Sequence, residues 1–225
     1  MGSNFIPDGQ QKFMKKKIII FDLDGVLSDS TNHVLQFFLD TYPTLTKKIV
    51  DEMLTGNFPL EVEKLKLTHK RIDETEEQRK KRNEEYSHKK ARLPLYNGIN
   101  ELLEFLYNES YTLVINTSAL ERNCLPVLER ANILKYFDFI ATKELSANKT
   151  EKFKIIADKY KVQPNEMLFV TDTLGDIREA DLANVPTVAV TWGAHDNSFF
   201  GREKHENLVK IVTTVPELQS YLISR

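Results

Sequence analysis

The chain has 225 residues, and its 31 basic and 33 acidic side chains give a formal charge of −2, which argues against a nucleic-acid-binding protein. The single cysteine excludes an intramolecular disulfide and is typical of a reducing, cytoplasmic compartment. No stretch approaches the roughly 18 apolar residues of a membrane span, and no apolar signal segment opens the sequence. We therefore expect a cytoplasmic protein without a nucleic-acid or membrane partner, long enough for one α/β domain and a smaller insertion.

The first predicted element is a strand, Ile18 to Phe21, whose unbroken apolar run is typical of a strand buried on both faces. Asp22 and Asp24 follow it, and carboxylates at positions i and i+2 leave a strand on the same side. Like charges this close repel each other unless one is protonated or a cation lies between them. The pair therefore predicts a metal or general-acid site at the carboxyl end of a central parallel strand. The alternative is a solvated turn at Gly25.

A helical insertion is predicted next. Residues 30–40 carry a helical stripe of apolar side chains, and residues 46–93 are rich in Lys, Arg and Glu with helical spacing of the apolar positions. A loop signal, Thr55-Gly56-Asn57-Phe58-Pro59, interrupts them. The mixed charges of residues 61–92 predict a solvated helical face. The predicted organisation is a disordered or vector-derived arm at residues 1–14, a core formed by 15–29 and 94–225, and a helical cap at 30–93.

Strands and helices alternate after Pro94. This alternation predicts right-handed crossovers and a parallel sheet covered on both faces, an α/β fold with a Rossmann-like core. The predicted strands are 111–115, 137–141, 167–170, 187–191 and a weaker one at 210–213, and the predicted helices are 98–109, 120–132, 150–160, 175–183 and one from 216.

Polar residues follow two more of these strands. Thr117 and Ser118 come after one, Asp172 and Asp176 come after another, and Lys149 precedes a helix. Because the carboxyl ends of parallel strands share one edge of the sheet, these groups can converge on Asp22 and Asp24. Together they suit phosphoryl transfer: one carboxylate attacks phosphorus, a divalent cation lowers the electrostatic barrier, and a second acid protonates the leaving alcohol. Hydroxyl and ammonium groups hold the phosphoryl oxygens.

These motifs, in this order, resemble those of the haloacid dehalogenase superfamily. The matching segments are Asp22-Leu-Asp24-Gly25-Val26, Thr117 with Ser118 beside it, Lys149, and Asp172-Thr173-Leu-Gly-Asp176. The insertion resembles the C1 helical cap of one subgroup, and Tyr96-Asn-Gly98-Ile and Val190-Thr-Trp-Gly193 resemble segments of phosphoglycolate phosphatases and β-phosphoglucomutases.

The sequence departs from the family pattern in two places. Thr171 stands where the family has glycine, which would crowd the backbone on the metal side but removes no ligand. Thr150 follows the motif lysine where many relatives have proline, so Lys143 and Lys152 stay open as alternatives to Lys149.

The resemblance implies roles for the site residues. Asp22 is the nucleophile, Asp24 is the acid and base, and the Asp24 carbonyl binds Mg²⁺ together with Asp22 and Asp172. Asp176 is a nearby ligand. The residues implied to bind the phosphoryl group are Thr117, Ser118 and Lys149.

The implied function is a Mg²⁺-dependent phosphatase that acts on a small phosphomonoester through an aspartyl phosphate. The loop of Thr55, Gly56 and Asn57 resembles the cap loop that lies over the substrate; the alternative is an ordinary connecting turn. A phosphomutase of the β-phosphoglucomutase type stays open. A phospho-accepting regulatory module is disfavoured because receivers have no helical insertion after the first strand. We expect a monomer, with a dimer as the alternative.

Two further signals are rejected. Cys124 and Arg130 have the spacing of a tyrosine-phosphatase loop, but Pro126 removes an N–H from the phosphate cradle, so a packed helix is predicted. His195 with Asp196 suggests a triad with Ser118, but no Gly-x-Ser-x-Gly elbow exists. We expect His195 at the surface or at the rim of the site.

Overall fold

A computed structural model describes residues 18–224. Within this range, six strands form a parallel sheet in the order β3-β2-β1-β4-β5-β6, which confirms the predicted α/β Rossmann-like class. The central strand is the first of the chain, so its carboxyl end lies in the middle of the sheet edge. The strands are β1 (Ile18–Phe21), β2 (Thr112–Asn116), β3 (Phe137–Ala141), β4 (Met167–Thr171), β5 (Thr187–Val190) and β6 (Leu208–Val212).

Helices cover the sheet on both faces. Because alternate residues of a strand point to opposite faces, Ile19 and Phe21 pack in one apolar cluster whereas Ile18 and Ile20 pack in another. The core helices are α5 (Ile99–Asn108), α6 (Glu121–Arg130), α7 (Lys149–Tyr160), α8 (Leu174–Leu182), α9 (Asn197–Phe200) and α10 (Val215–Ile223), with short 3₁₀ turns at 134–136 and 164–166.

Four helices occupy residues 31–90, between β1 and α5. They pack around an apolar cluster of their own, which includes Phe38, Val50 and Leu65. The helices are α1 (Thr31–Thr41), α2 (Lys47–Met53), α3 (Phe58–Thr68) and α4 (Glu76–Lys90). Their helical character and separate cluster agree with a cap, although the division of the chain at residues 30 and 93 stays a prediction. We refer to α1–α4 with their connections as the cap.

The predicted elements agree with the observed ones to within two residues at most ends. The short helix α9 was not predicted, because four residues carry no periodic signal. The prediction for residues 1–14 lies outside the described residues. Along residues 18–224, no helix combines the length and the apolar character needed to cross a bilayer.

Candidate active site

A cavity of about 270 Å³ lies between the carboxyl edge of the sheet and the cap. The strand ends bring the predicted residues together there, as expected for parallel strands of one sheet. The lining includes seven of them: Asp22, Asp24, Thr117, Ser118, Lys149, Asp172 and Asp176.

Asp22 is buried at the end of β1 and faces the ammonium group of Lys149. The Nζ of Lys149 lies 3.0 Å from Asp22 Oδ2 and 2.6 Å from Asp176 Oδ2. Burial, with the negative charges of Asp176 and Asp24, raises the pKa of Asp22 to about 7, and Lys149 opposes this shift. The carboxylate form of Asp22 therefore needs positive charge beside it.

Lys149 is the first residue of α7, and its side chain is buried. Burial opposes its charge, but the carboxylates of Asp176 and Asp22 outweigh burial and raise the pKa of Lys149 above its ordinary value. Its backbone N–H donates to Glu179 Oε1 at 2.8 Å, which fixes the start of the helix. Of the alternative lysines, Lys152 donates to the carbonyl of Thr117 at 2.6 Å, and Lys143 lines another part of the cavity.

Asp172 packs closely against two glycines. A Cβ on Gly25, whose φ is +76°, would lie 1.9 Å from Asp172 Oδ2, and a Cβ on Gly193 would lie 2.3 Å from the same atom. Asp172 Oδ2 accepts a hydrogen bond from the Ala194 N–H at 2.7 Å, whereas Asp172 Oδ1 is buried and has no hydrogen-bond partner among the described residues. Burial and the charge of Asp22 raise the pKa of Asp172 well above its ordinary value.

These donors fit a Mg²⁺ ion. The orphaned Oδ1 of Asp172 and the raised pKa of Asp22 both indicate negative charge that a cation would neutralise. Within residues 18–224 no three His, Cys, Asp or Glu side chains form a metal-binding group. Mg²⁺ does not require one, because it is usually held by one or two carboxylates and keeps several waters. Asp22, Asp172 and the Asp24 carbonyl are such a set.

Asp176 lies next to this set, on the other side of the Lys149 ammonium group. Its Oδ2 accepts from Lys149 Nζ and also from the hydroxyl of Thr171, each at 2.6 Å. Thr171 therefore does more than replace the family's glycine, because its buried side chain holds Asp176 in place. The sequence pattern gave no sign of this bond, and a ligand role for Asp176 stays a prediction.

Asp24 is bound by two residues that the sequence analysis did not single out. The hydroxyl of Ser30 donates to Asp24 Oδ1 at 2.5 Å, and Lys90 Nζ donates to Asp24 Oδ2 at 2.7 Å. Lys90 is 1% exposed, so the expectation of a solvated face throughout residues 61–92 is wrong at this position. Burial opposes the charge of Lys90, but Asp24 and Tyr86 together raise its pKa. The last residue of the cap helices thus contacts the predicted acid and base.

Thr117 and Ser118 form the loop after β2. Thr117 is buried, and its N–H donates to the Ala141 carbonyl while its hydroxyl accepts from the Ala119 N–H at 3.1 Å. Ser118 is half-buried and lines the cavity. Both residues line the same cavity as Asp22, and their contact with a phosphoryl group stays a prediction.

Thr55, Gly56 and Asn57 are not among the residues that line the cavity. They lie in the contact between the cap and α8. Asn57 Nδ2 donates to Glu179 Oε1 at 2.8 Å, the Thr55 carbonyl accepts from Arg178 at 2.6 Å, and a Cβ on Gly175 would lie 2.1 Å from the Gly56 carbonyl oxygen. This loop joins the cap to the core, and its contact with substrate stays a prediction.

The expectation that His195 lies at the surface or rim is wrong, because the residue is 1% exposed. Its Nδ1 accepts from the Leu174 N–H at 3.0 Å, so Nε2 carries the ring proton and donates to the Asp51 carbonyl at 3.0 Å. Burial lowers the pKa of His195. His195 therefore links the start of α8 to the cap as a neutral imidazole, stacked on Phe199.

Cys124 is buried within α6 and is a free thiol. Arg130 closes the same helix, so the two residues do not form a phosphate loop. The predicted packed helix is confirmed.

Comparison with known proteins assigns the chain to a family. The family model described as "Haloacid dehalogenase-like hydrolase" matches residues 19–190, and the chain belongs to this family. It is therefore a hydrolase by family.

Curated relatives include the "Probable phosphatase IndB" of Dickeya dadantii, which is 26% identical over 191 residues that cover 80% of this chain and 83% of the relative. A phosphoglycolate phosphatase of Pseudomonas syringae is 27% identical over 202 residues, which cover 83% of this chain and 74% of the relative. The putative β-phosphoglucomutase of Thermotoga maritima has a similar fold, with a TM-score of 0.66, 22% identity and coverage of 92% of this chain and 98% of that one. At this identity the structural likeness concerns the fold alone.

Proposed function

We propose that this protein is a Mg²⁺-dependent phosphatase that hydrolyses a small phosphomonoester through an aspartyl phosphate on Asp22. The observation that carries the proposal is the position of the Asp22 carboxylate, which lies at the end of β1 beside the Lys149 ammonium and faces the cavity. The names of the curated relatives support a phosphoric monoester hydrolase.

Each residue of the site has a chemical task in this proposal. Asp22 Oδ attacks phosphorus, and Asp24 gives a proton to the departing alkoxide. Water then attacks the aspartyl phosphate, and Asp24 removes a proton from that water. The Lys149 ammonium and the hydroxyl groups of Thr117 and Ser118 hold the phosphoryl oxygens during both steps.

Mg²⁺, held by Asp22, Asp172 and the Asp24 carbonyl, would supply positive charge beside the nucleophile and a phosphoryl oxygen. The orphaned Oδ1 of Asp172 supports this assignment. Lys149, which bridges Asp22 and Asp176, supplies a second and permanent positive charge.

A phosphomutase is the second candidate. It would use the same Asp22, Asp24 and Lys149, and the fold shared with the putative β-phosphoglucomutase favours its inclusion. The difference would lie in whether water or a second sugar phosphate accepts the phosphoryl group from Asp22. We further propose that the protein acts in the cytoplasm on a free metabolite, consistent with its single buried thiol.

The test is release of inorganic phosphate from p-nitrophenyl phosphate and a panel of metabolite phosphoesters, with Mg²⁺ and with EDTA. We expect Mg²⁺-dependent release by the wild-type protein. Asp22→Asn should lose on the order of 10⁴-fold or more in kcat, because the nucleophile is removed while the shape is kept. Substantial release by a folded Asp22→Asn protein would exclude the covalent mechanism, and phosphoryl exchange between sugar phosphates without release would favour the mutase.

A further inference from the structure

The wall of the cavity that faces the phosphoryl-binding residues is apolar. It is formed by Leu35 of α1, Leu54 after α2, and Phe58 and Val62 of α3, all contributed by the cap. These four side chains are half-buried, so part of each surface faces the cavity and not the cap interior. We call this set the apolar wall. A leaving group attached to a phosphoryl group at Asp22 would lie against it.

The cap lysines beside the apolar wall are already paired. Lys90 donates to Asp24 at 2.7 Å, and Lys47 donates to both oxygens of Asp51 at 2.8 and 2.7 Å. Tyr86 also lines the cavity, and burial raises its pKa to about 12, so it presents a neutral hydroxyl group. A carboxylate on the leaving group would therefore lose its hydration against this wall, and it could gain the ammonium group of Lys47 only by displacing Asp51.

The size of the cavity limits the leaving group. Its volume of about 270 Å³ lies near the lower end of the roughly 300–1,000 Å³ that is usual for ligand pockets. The phosphoryl group shares this space with the leaving group, so a compact leaving group fits best.

We propose that the substrate is the phosphomonoester of a compact apolar alcohol, and not of a hydroxy acid or a sugar. This inference rests on the proposed phosphatase function, and names the substrate class of that same site. It differs from what the names of the phosphoglycolate phosphatase relatives would suggest, because the apolar wall offers nothing to bind a carboxylate.

The competing arrangement involves Lys143. This residue follows β3 and lines the cavity from the core side. If Lys143 bound an anionic tail of the substrate, the apolar wall would lie beside the tail and not around it. The experiment therefore includes a Lys143 variant.

The first measurement is kcat/KM for the straight-chain alkyl phosphates from methyl to hexyl, with phosphoglycolate and glucose 1-phosphate as polar comparisons. The alkoxide leaving groups have similar basicity, so differences report contacts of the chain. We expect kcat/KM to rise by up to about fourfold per added methylene group, as for transfer of CH₂ from water, until the chain is longer than the apolar wall. Pentyl phosphate should then exceed both polar esters by about 10²-fold.

The second measurement uses matched variants. Val62→Thr keeps the side-chain shape but adds a hydroxyl group to the apolar wall, and it should reduce the dependence on chain length. Leu60→Thr alters an exposed residue of the same helix that does not line the cavity, and it should leave that dependence unchanged. Lys143→Met should leave the dependence of kcat/KM on chain length unchanged. Thermal melting checks that each variant is folded.

The outcomes separate this inference from the proposed function. If the esters are hydrolysed but kcat/KM stays flat or falls with chain length, the apolar-substrate inference is wrong and the proposed phosphatase function stands. The same holds if the enzyme prefers phosphoglycolate and Lys143→Met abolishes that preference. No Mg²⁺-dependent phosphate release from any ester, p-nitrophenyl phosphate included, would overturn both.

Discussion

The two sides of the cavity hold their charges differently. On the core side, Asp22, Lys149 and Asp176 are buried and share short contacts with one another. On the cap, several ion pairs join side chains three or four residues apart on the helix surface, such as Lys64 with Glu61 and Lys66 with Glu63, and Glu74, whose side chain is 6% exposed and pairs with three arginines, is an exception. Pairs of this exposed kind contribute between 0 and about 1 kcal/mol, because water and salt screen them.

This difference suggests that the two sides of the cavity have different roles. In the proposed mechanism the charges on the core side act on the transferring phosphoryl group, since burial strengthens each electrostatic contact with it. The cap presents mainly apolar side chains to the cavity and reaches the chemical groups at one ion pair, between Lys90 and Asp24. This pair is where the comparison between the two sides can be tested most directly.

The largest effect is expected from Asp24→Asn, which removes the proposed acid and base on the core side. We expect kcat for an alkyl phosphate to fall by about 10²–10⁴-fold, the usual contribution of such a group. The loss should be smaller for p-nitrophenyl phosphate, whose leaving group departs without a proton. Steady-state kinetics on both esters would check this, and equal losses would show that Asp24 is not the acid.

A smaller effect is expected from Lys90→Met, which keeps the buried stem but removes the ammonium group that contacts Asp24. Without this partner the Asp24 carboxylate is less well oriented, so we expect kcat on an alkyl phosphate to fall by about 10- to 10²-fold with little change in KM. Lys89→Met, at the exposed neighbour on α4, is the matched control. If both variants behave like the wild type, the ion pair has only a structural role.

The sequence predicted the core side well because its signals are local. Residues Ile18 to Asp24 alone predict a buried strand that ends in two acids. The alternation of strands and helices then predicts a parallel sheet, which brings Thr117, Lys149 and Asp172 to the same edge. The contacts between the cap and the core could not be predicted from the sequence. Lys90 lies in a run of charged residues like its neighbours, and only the packing of α4 buries it. His195 was placed at the rim for the same reason, because its partners at Leu174 and Asp51 are distant in the sequence.

The loop of Thr55, Gly56 and Asn57 provides a further test of how the cap and the core side contribute to activity. Asn57→Ala removes the hydrogen bond to Glu179 and the N-cap of α3, so the contact between the cap and the core should weaken. Because Asn57 does not line the cavity, we expect kcat/KM to fall a few-fold by the same factor for pentyl and p-nitrophenyl phosphate. A changed ratio between the two esters would instead support the sequence-based prediction that this loop selects the substrate.

The control for Asn57→Ala is Thr46→Ala. It removes the comparable N-cap of α2, where the Thr46 side chain accepts from the Ile49 N–H, without removing a bond to the core. A similar loss of kcat/KM in Thr46→Ala would show that the effect of Asn57→Ala comes from lower stability of the cap and not from the lost contact between the cap and the core.

The smallest effect is expected from Lys152, a buried lysine of the core that has no role in the proposed reaction, and it concerns the pH dependence of stability. Burial, with the positive charge of Lys149, lowers the pKa of Lys152 to about 7 from its ordinary value of 10.5. In the unfolded chain Lys152 keeps its proton up to about pH 10, so unfolding takes up a proton between about pH 7 and pH 10. The stability contributed by this group therefore rises with pH in that window, by at most about 1.4 kcal/mol per pH unit.

Lys152→Met should remove this slope. We expect the melting temperature of the wild type to rise relative to that of the variant by about 3 °C per pH unit between pH 7.5 and pH 9.5, measured in EDTA. Lys154→Met, at an exposed position of the same helix, should keep the wild-type slope. Parallel curves for Lys152→Met and the wild type would mean that Lys152 stays charged in the folded protein. Its bond to the Thr117 carbonyl would then place a second permanent cation behind the phosphoryl-binding loop.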